Sequence, residues 1–150
     1  IITIGSSTNL ARHLGIPVES HLVERKDDGT LGPVSRDRYY VPGSLLEVAV
    51  DPTRPAARGA GEHSIVMFDN SPVFSLPPDA AQRGITPIAW FDSDQPLRSG
   101  WAHGQQYLRN GVAMLSARQG KGMLYLYGPE LLFRAQPTGT YRFVFNLMYQ

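Results

Sequence analysis

Three groups of residues in this 150-residue chain could do chemistry. The first is Gly5-Ser6-Ser7-Thr8. Here the β-branched apolar run Ile1-Ile2-Thr3-Ile4 enters a glycine and then three hydroxyl residues. A side chain held on such a bend stands exposed at a strand end, as a nucleophile must. A serine also needs a base, and no His-Asp arrangement is visible beside it in sequence. The plainer reading is that these hydroxyls cap the short helix that follows. The second group is His21-Leu-Val-Glu24, with His103 as a distant third ligand of the kind an open zinc site needs. A Glu three residues after a His arises readily by chance, and this one runs into Arg25-Lys26-Asp27-Asp28, so a surface histidine is the better reading. The third group is Asp92-Ser93-Asp94 with Arg98, Trp90 and Trp101, a composition shared by ligand pockets and ordinary hydrogen-bonded loops. Glu130, Arg134 and Gln136 lie just after a strand signal, where Arg134 is placed to pair with a carboxylate or cap carbonyls.

The elements that must position these groups are strands more than helices. Ile1 to Ile4 reads as a strand, and Leu10 to Leu14 as a short helix stopped by Gly15 and Pro17. Glu24 to Arg38 is charged and carries Asp28-Gly29 and Gly32-Pro33, which marks a hairpin or exposed loop. Strands are expected at Leu45 to Val50, Ile65 to Phe68, Val73 to Leu76 and Ile88 to Phe91. The stretch Asp51 to Gly61 must be irregular, one helical turn is expected within Pro77 to Gly84, and Trp101 to Leu108 is ambiguous. Val112 to Ala117 and Met123 to Tyr127, joined by Gln119-Gly120-Lys121-Gly122, form the clearest strand pair. Thr140 to Tyr149 is apolar almost all round and, if helical, would be a buried closing element. The expected core includes Ile2, Ile4, Val66, Phe68, Ile88, Trp90, Leu115, Leu124, Leu126 and Phe145.

Composition narrows the function classes. With 14 Lys+Arg against 13 Asp+Glu the net charge is +1, which gives no long-range field for nucleic acid or acidic lipid. Zero cysteine excludes thiol catalysis and Cys-ligated metal sites. No apolar run approaches the roughly 18 residues of a membrane span, and no basic segment precedes an apolar one as in a signal peptide. Length fits a single domain over residues 1–150. The bare strand at the start, without an initiator Met, points to a piece of a longer chain.

At Gly120-Lys121-Gly122, Tyr125 to Gly128-Pro129-Glu130, Phe133-Arg134-Ala135-Gln136-Pro137 and Gly139-Thr140 to Tyr149, the sequence resembles the C-terminal region of large bacterial carboxypeptidase A-like zinc peptidases. Tyr39-Tyr40-Val41-Pro42-Gly43-Ser44 and Trp90 to Trp101 resemble the same region, so the likeness covers most of the chain. That region is similar to class I glutamine amidotransferase domains. The resemblance implies an α/β fold, a mixed sheet flanked by helices in the flavodoxin/Rossmann-like manner, incomplete on its N-terminal side. In that comparison Ser7 stands where the nucleophilic Cys would be, and Gly128-Pro129-Glu130 replaces His-Pro-Glu, so the acid is kept and the base is gone. A serine has a far higher pKa than a thiol, and glycine cannot take its proton, so an amidase site built this way is inactive.

The resemblance further implies a zinc site in an upstream peptidase domain and none in this chain, an accessory role beside that domain, and a periplasmic or extracellular location. Two other readings stay open. One is a binding module for a carboxylate, peptide or glycan, using Ser6 and Ser7 with Asp92, Arg98, Trp101, Glu130 or Arg134. The other is a serine hydrolase whose base is His13, His63 or His103.

Overall fold

The computed structural model describes residues 1–149. Strand β1 (Ile2–Ile4) leads through a 3-10 turn, Gly5–Asn9, into the one-turn helix α1 (Leu10–His13). The short strands β2 (Glu19–Ser20), β3 (Val23–Arg25) and β4 (Leu31–Pro33) follow. Next come β5 (Ser44–Val50), β6 (His63–Phe68) and β7 (Phe74–Ser75). The remaining strands are β8 (Ile85–Trp90), β9 (Leu97–Ser99), β10 (Val112–Gln119) and β11 (Gly122–Tyr127), and α2 (Arg142–Met148) comes last. Nine strands form one sheet on the path β1-β11-β10-β8-β5-β6, with β7 against β10, β2 against β7 and β9 against β5. The hairpin β3-β4 stands apart as a second, two-stranded sheet.

The expected helix-flanked α/β architecture is therefore corrected. The sheet is mixed, but the fold is mostly β, with two short helices of four and seven residues among the described residues. The cause is local. The connections that would have to carry crossover helices are broken by Pro52, Pro55, Gly59 and Gly61, and again by Pro77, Pro78 and Gly84. A parallel crossover needs a dozen or more residues that can stay helical. Hairpins and irregular loops therefore join most strands, and their ladders are antiparallel. Pairing of β1 with β11 is the parallel exception, and it joins the first strand to the last.

A curled sheet buries both faces. On β11, Leu124 and Leu126 face one apolar cluster with Ala11, Ile16, Ile85 and Leu115. Tyr125 and Tyr127 face the other, with Val48, Phe68, Phe91, Met114 and Phe143. That is the period-two alternation of a strand. The clear hairpin β10-β11 forms as expected, pairing Gln119 with Gly122 across a two-residue turn, and Gly120 takes the positive φ, +58°, that the turn requires.

Four expected core positions are corrected. Ile2, Ile4 and Trp90 are only partly buried, and Phe145 is 44% exposed. α2 is not buried all round, because one side of so short a helix reaches the domain. Phe143 and Val144 go inward, while Phe145 and Met148 face out. The Pro77 to Gly84 stretch forms hydrogen-bonded turns instead of a helix, and Gln105–Leu108 is a 3-10 turn. The loop Asp92 to Gly100 contains the short strand β9. No helix among the described residues is long and apolar enough to cross a membrane.

Two buried phenols give the fold a pH signature. Burial pushes Tyr39 well above the ordinary tyrosine range. Burial, reinforced by nearby Tyr125, does the same to Tyr127, whose hydroxyl donates to the Phe143 carbonyl at 2.8 Å. A folded-state pKa raised above the unfolded value contributes stability that is complete below about pH 10 and is lost as pH rises toward the folded value. In an alkaline titration, the phenolate absorbance of two of the seven tyrosines should be missing from the folded protein near pH 11 and appear only with unfolding. Ionisation of all seven while the fold persists would contradict the burial.

Candidate functional site

The parallel register of β1 with β11 places their C-terminal ends side by side, so the first bend meets Glu130. Gly5 has φ +59°, and a Cβ on it would sit 2.5 Å from Glu130 Oε1. Ser7 is exposed, but its hydroxyl bends back onto the end of its own strand: it donates to the Ile4 carbonyl at 2.7 Å and accepts from the Ile4 amide at 2.8 Å. Thr8 Oγ1 donates to the Gly5 carbonyl at 2.7 Å. The hydroxyls thus close the turn itself. The expected capping of the following helix is corrected, since Asn9 makes no side-chain cap bond there. Ser6 is exposed.

Gly128 follows β11 where a Cβ would lie 1.9 Å from the Pro72 carbonyl oxygen. No side chain fits at that position, an imidazole included. Arg134 is exposed, lies over the Phe133 ring at 5.1 Å and pairs with no carboxylate among the described residues.

The four histidines go elsewhere. His21 Nε2–H donates to the Arg109 carbonyl at 3.0 Å, which leaves Nδ1 to accept from the Ser75 hydroxyl at 3.0 Å. His63 reaches Asp92 at 3.3 Å, and His103 Nε2–H donates to the Asp37 carbonyl at 2.9 Å. His13 ends α1 in an exposed position. None of the four hydrogen-bonds to Ser7 among the described residues. Glu24, the third member of the expected metal pattern, accepts from the Ser35 amide and from Arg38. Its members are thus committed to different partners, and no metal-holding group forms among the described residues.

The loop group is also divided. Arg98 grips Glu47 with two of its three guanidinium nitrogens, Nη2 at 2.7 Å and Nε at 3.2 Å. That hydrogen bonding holds the Glu47 carboxyl below the usual carboxylate range. Asp92 faces His63. Trp101 points to another neighbourhood: it is 56% exposed, stacks on His103 at 6.1 Å and meets the Tyr40 ring edge-on at 6.1 Å. Trp101 therefore stands apart, while Asp92 and His63 remain close enough to the Arg98–Glu47 pair to act on it through their charges.

Sequence reading missed a cleft of about 730 Å³ beside the first turn. The turn and α1 (Thr8, Arg12), β2, the end of β4 (Pro33), Arg36 with Tyr39 and Tyr40, and Asn70 to Phe74 contribute to it. Tyr39 lines this cleft, is 7% exposed, and has a hydroxyl that is buried without a hydrogen-bond partner among the described residues. The Tyr39-Tyr40 doublet was legible, but only the fold shows that one of the two carries an unmatched buried donor. The sequence matches no protein-family model, and a search of curated proteins gives no match.

Proposed function

We propose that this chain is a non-catalytic accessory domain of a zinc metallocarboxypeptidase-like protein, which packs against an upstream peptidase domain or presents substrate to it. The observation that carries the non-catalytic part is the closed hydrogen-bonded pair between the Ser7 hydroxyl and the Ile4 backbone, with none of the four imidazoles hydrogen-bonded to Ser7 among the described residues. General-base catalysis needs hydrogen-bond reach or one bridging water. The accessory part rests on the motif resemblance around Gly120-Lys121-Gly122 and Phe133 to Pro137. It gains support from Leu132, Phe145, Met148 and Tyr149, large apolar side chains 43% to 85% exposed on and near α2. Exposed apolar area of that kind is what a neighbouring domain covers. Zinc belongs to the peptidase domain in this reading, and His21, Glu24 and His103 are not assigned to it.

Two measurements test the proposal. Glutamine and simple esters should show no turnover that depends on Ser7, while Ser7→Ala should lower the melting temperature by a few degrees through loss of the turn-closing bonds. Turnover abolished by Ser7→Ala would make the chain a serine hydrolase instead. For the accessory role, the coding sequence before Ile1 should encode a peptidase domain with His-x-x-Glu and a distant His. A reading frame there without them overturns that part.

A further inference from the structure

We propose that the cleft beside the first turn binds a small organic acid with an apolar substituent, a leucine-sized α-amino acid being the form that fits its charges. This goes beyond the accessory role and does not depend on it. The volume of about 730 Å³ lies in the range of small-molecule sites. Its lining combines two guanidinium groups, Arg12 and Arg36, with one carboxylate, Glu19.

All three are exposed, and none is in an ion pair among the described residues. Arg36 is held over the Tyr40 ring at 5.6 Å, which limits the freedom it would lose on binding. Val73 and Phe74 supply an apolar wall. A carboxylate between the two arginines gains charge-assisted hydrogen bonds, and an ammonium on the same molecule answers Glu19. A dianion would face Glu19 at a disadvantage.

The second observation is the Tyr39 hydroxyl. A buried donor without an acceptor costs stability, and native proteins keep few of them. A carboxylate oxygen drawn into the cleft supplies the missing acceptor. The hydroxyl is closed to solvent, so the acid reaches it through a side-chain shift at the lip, where Arg12 and Glu19 are exposed.

The test is titration of the isotope-labelled protein, followed by amide NMR, with three probes: L-leucine, 4-methylpentanoate (the acid without the amine) and isopentylamine (the amine without the acid). Leucine should bind with shifts centred on Arg12, Glu19, Tyr39 and Val73, 4-methylpentanoate more weakly, and isopentylamine not at all. Tyr39→Phe should raise the melting temperature by a few degrees and still weaken leucine binding about tenfold, the size of one charged hydrogen bond. The exposed double variant Arg12→Ala with Arg36→Ala should keep the fold and abolish binding. Absence of shifts with both acids at about 50 mM, far weaker than small-molecule affinities near a millimolar Kd, overturns the proposal. So do shifts that map away from the cleft, binding that survives the variants, or an amine that binds as well as leucine. Tighter binding of 4-methylpentanoate than of leucine would keep the acid site and overturn the role of Glu19.

Discussion

Gly128→Ala is expected to destabilise the domain by about 3 kcal/mol or more, a loss of roughly 6 to 12 °C in melting temperature. The added Cβ would sit 1.9 Å from the Pro72 carbonyl oxygen and 3.2 Å from that of Ala113. Both obstacles are backbone, so no rotamer change relieves them. Neither can withdraw cheaply. The Gly128 amide is hydrogen-bonded to Ala113 at 2.9 Å, and the segment after Pro72 is tied down through the bond from the His21 amide to Val73 at 2.9 Å. The natural control is Gly139→Ala, where a Cβ meets nothing within 4 Å, and which should change stability by less than about 0.5 kcal/mol. Thermal melts of the two variants decide the matter, and equal melting temperatures would refute the packing described around Pro72. A functional consequence follows. Gly128→His cannot restore a base beside Ser7, because the site has no room for a methyl group.

The second large effect is expected from Phe91→Ala, at about 3 to 5 kcal/mol. Phe91 is fully buried and meets Phe68 edge-on, with ring centroids 5.9 Å apart at 80°. Its backbone joins the loop before β10 to the sheet, with the Phe91 amide donating to Gly111 and the Asn110 amide donating back, at 2.9 and 2.8 Å. Truncation leaves those bonds in place, so the loss measures packing alone. Urea unfolding should show a lower midpoint with an unchanged slope. Because the two rings touch, the double variant with Phe68→Ala should lose less than the sum of the singles. A loss below about 1 kcal/mol for Phe91→Ala would mean that the ring does not fill the core as described.

Strand positions were legible because burial writes a period of two into the sequence, as in Leu124-Tyr125-Leu126-Tyr127. The β10-β11 turn was legible because Gly120 supplies a positive φ that few other residues tolerate. The architecture was misread because the resemblance supplied helices that the prolines and glycines between strands exclude. Phe145 was misplaced because an apolar segment does not say which side of a helix finds a partner. For the candidate site, Ser7 and Glu130 were found by spacing, yet hydrogen bonding decides what Ser7 does, and spacing carries no trace of it. Arg98 looked free and is held by Glu47, 51 residues away.

The residues alone therefore determined where the longer strands run, where the β10-β11 turn falls, and that no thiol or dense charge is present in this chain, because those properties are local or compositional. Tertiary structure decided the rest: that β1 lies parallel to β11, that Gly128 has no space for a side chain, and that Tyr39 is buried in the lining of a cleft that Arg12 and Arg36 also line. Each of these depends on contacts between residues far apart in the chain, whose closure is set by the packing of the whole sheet.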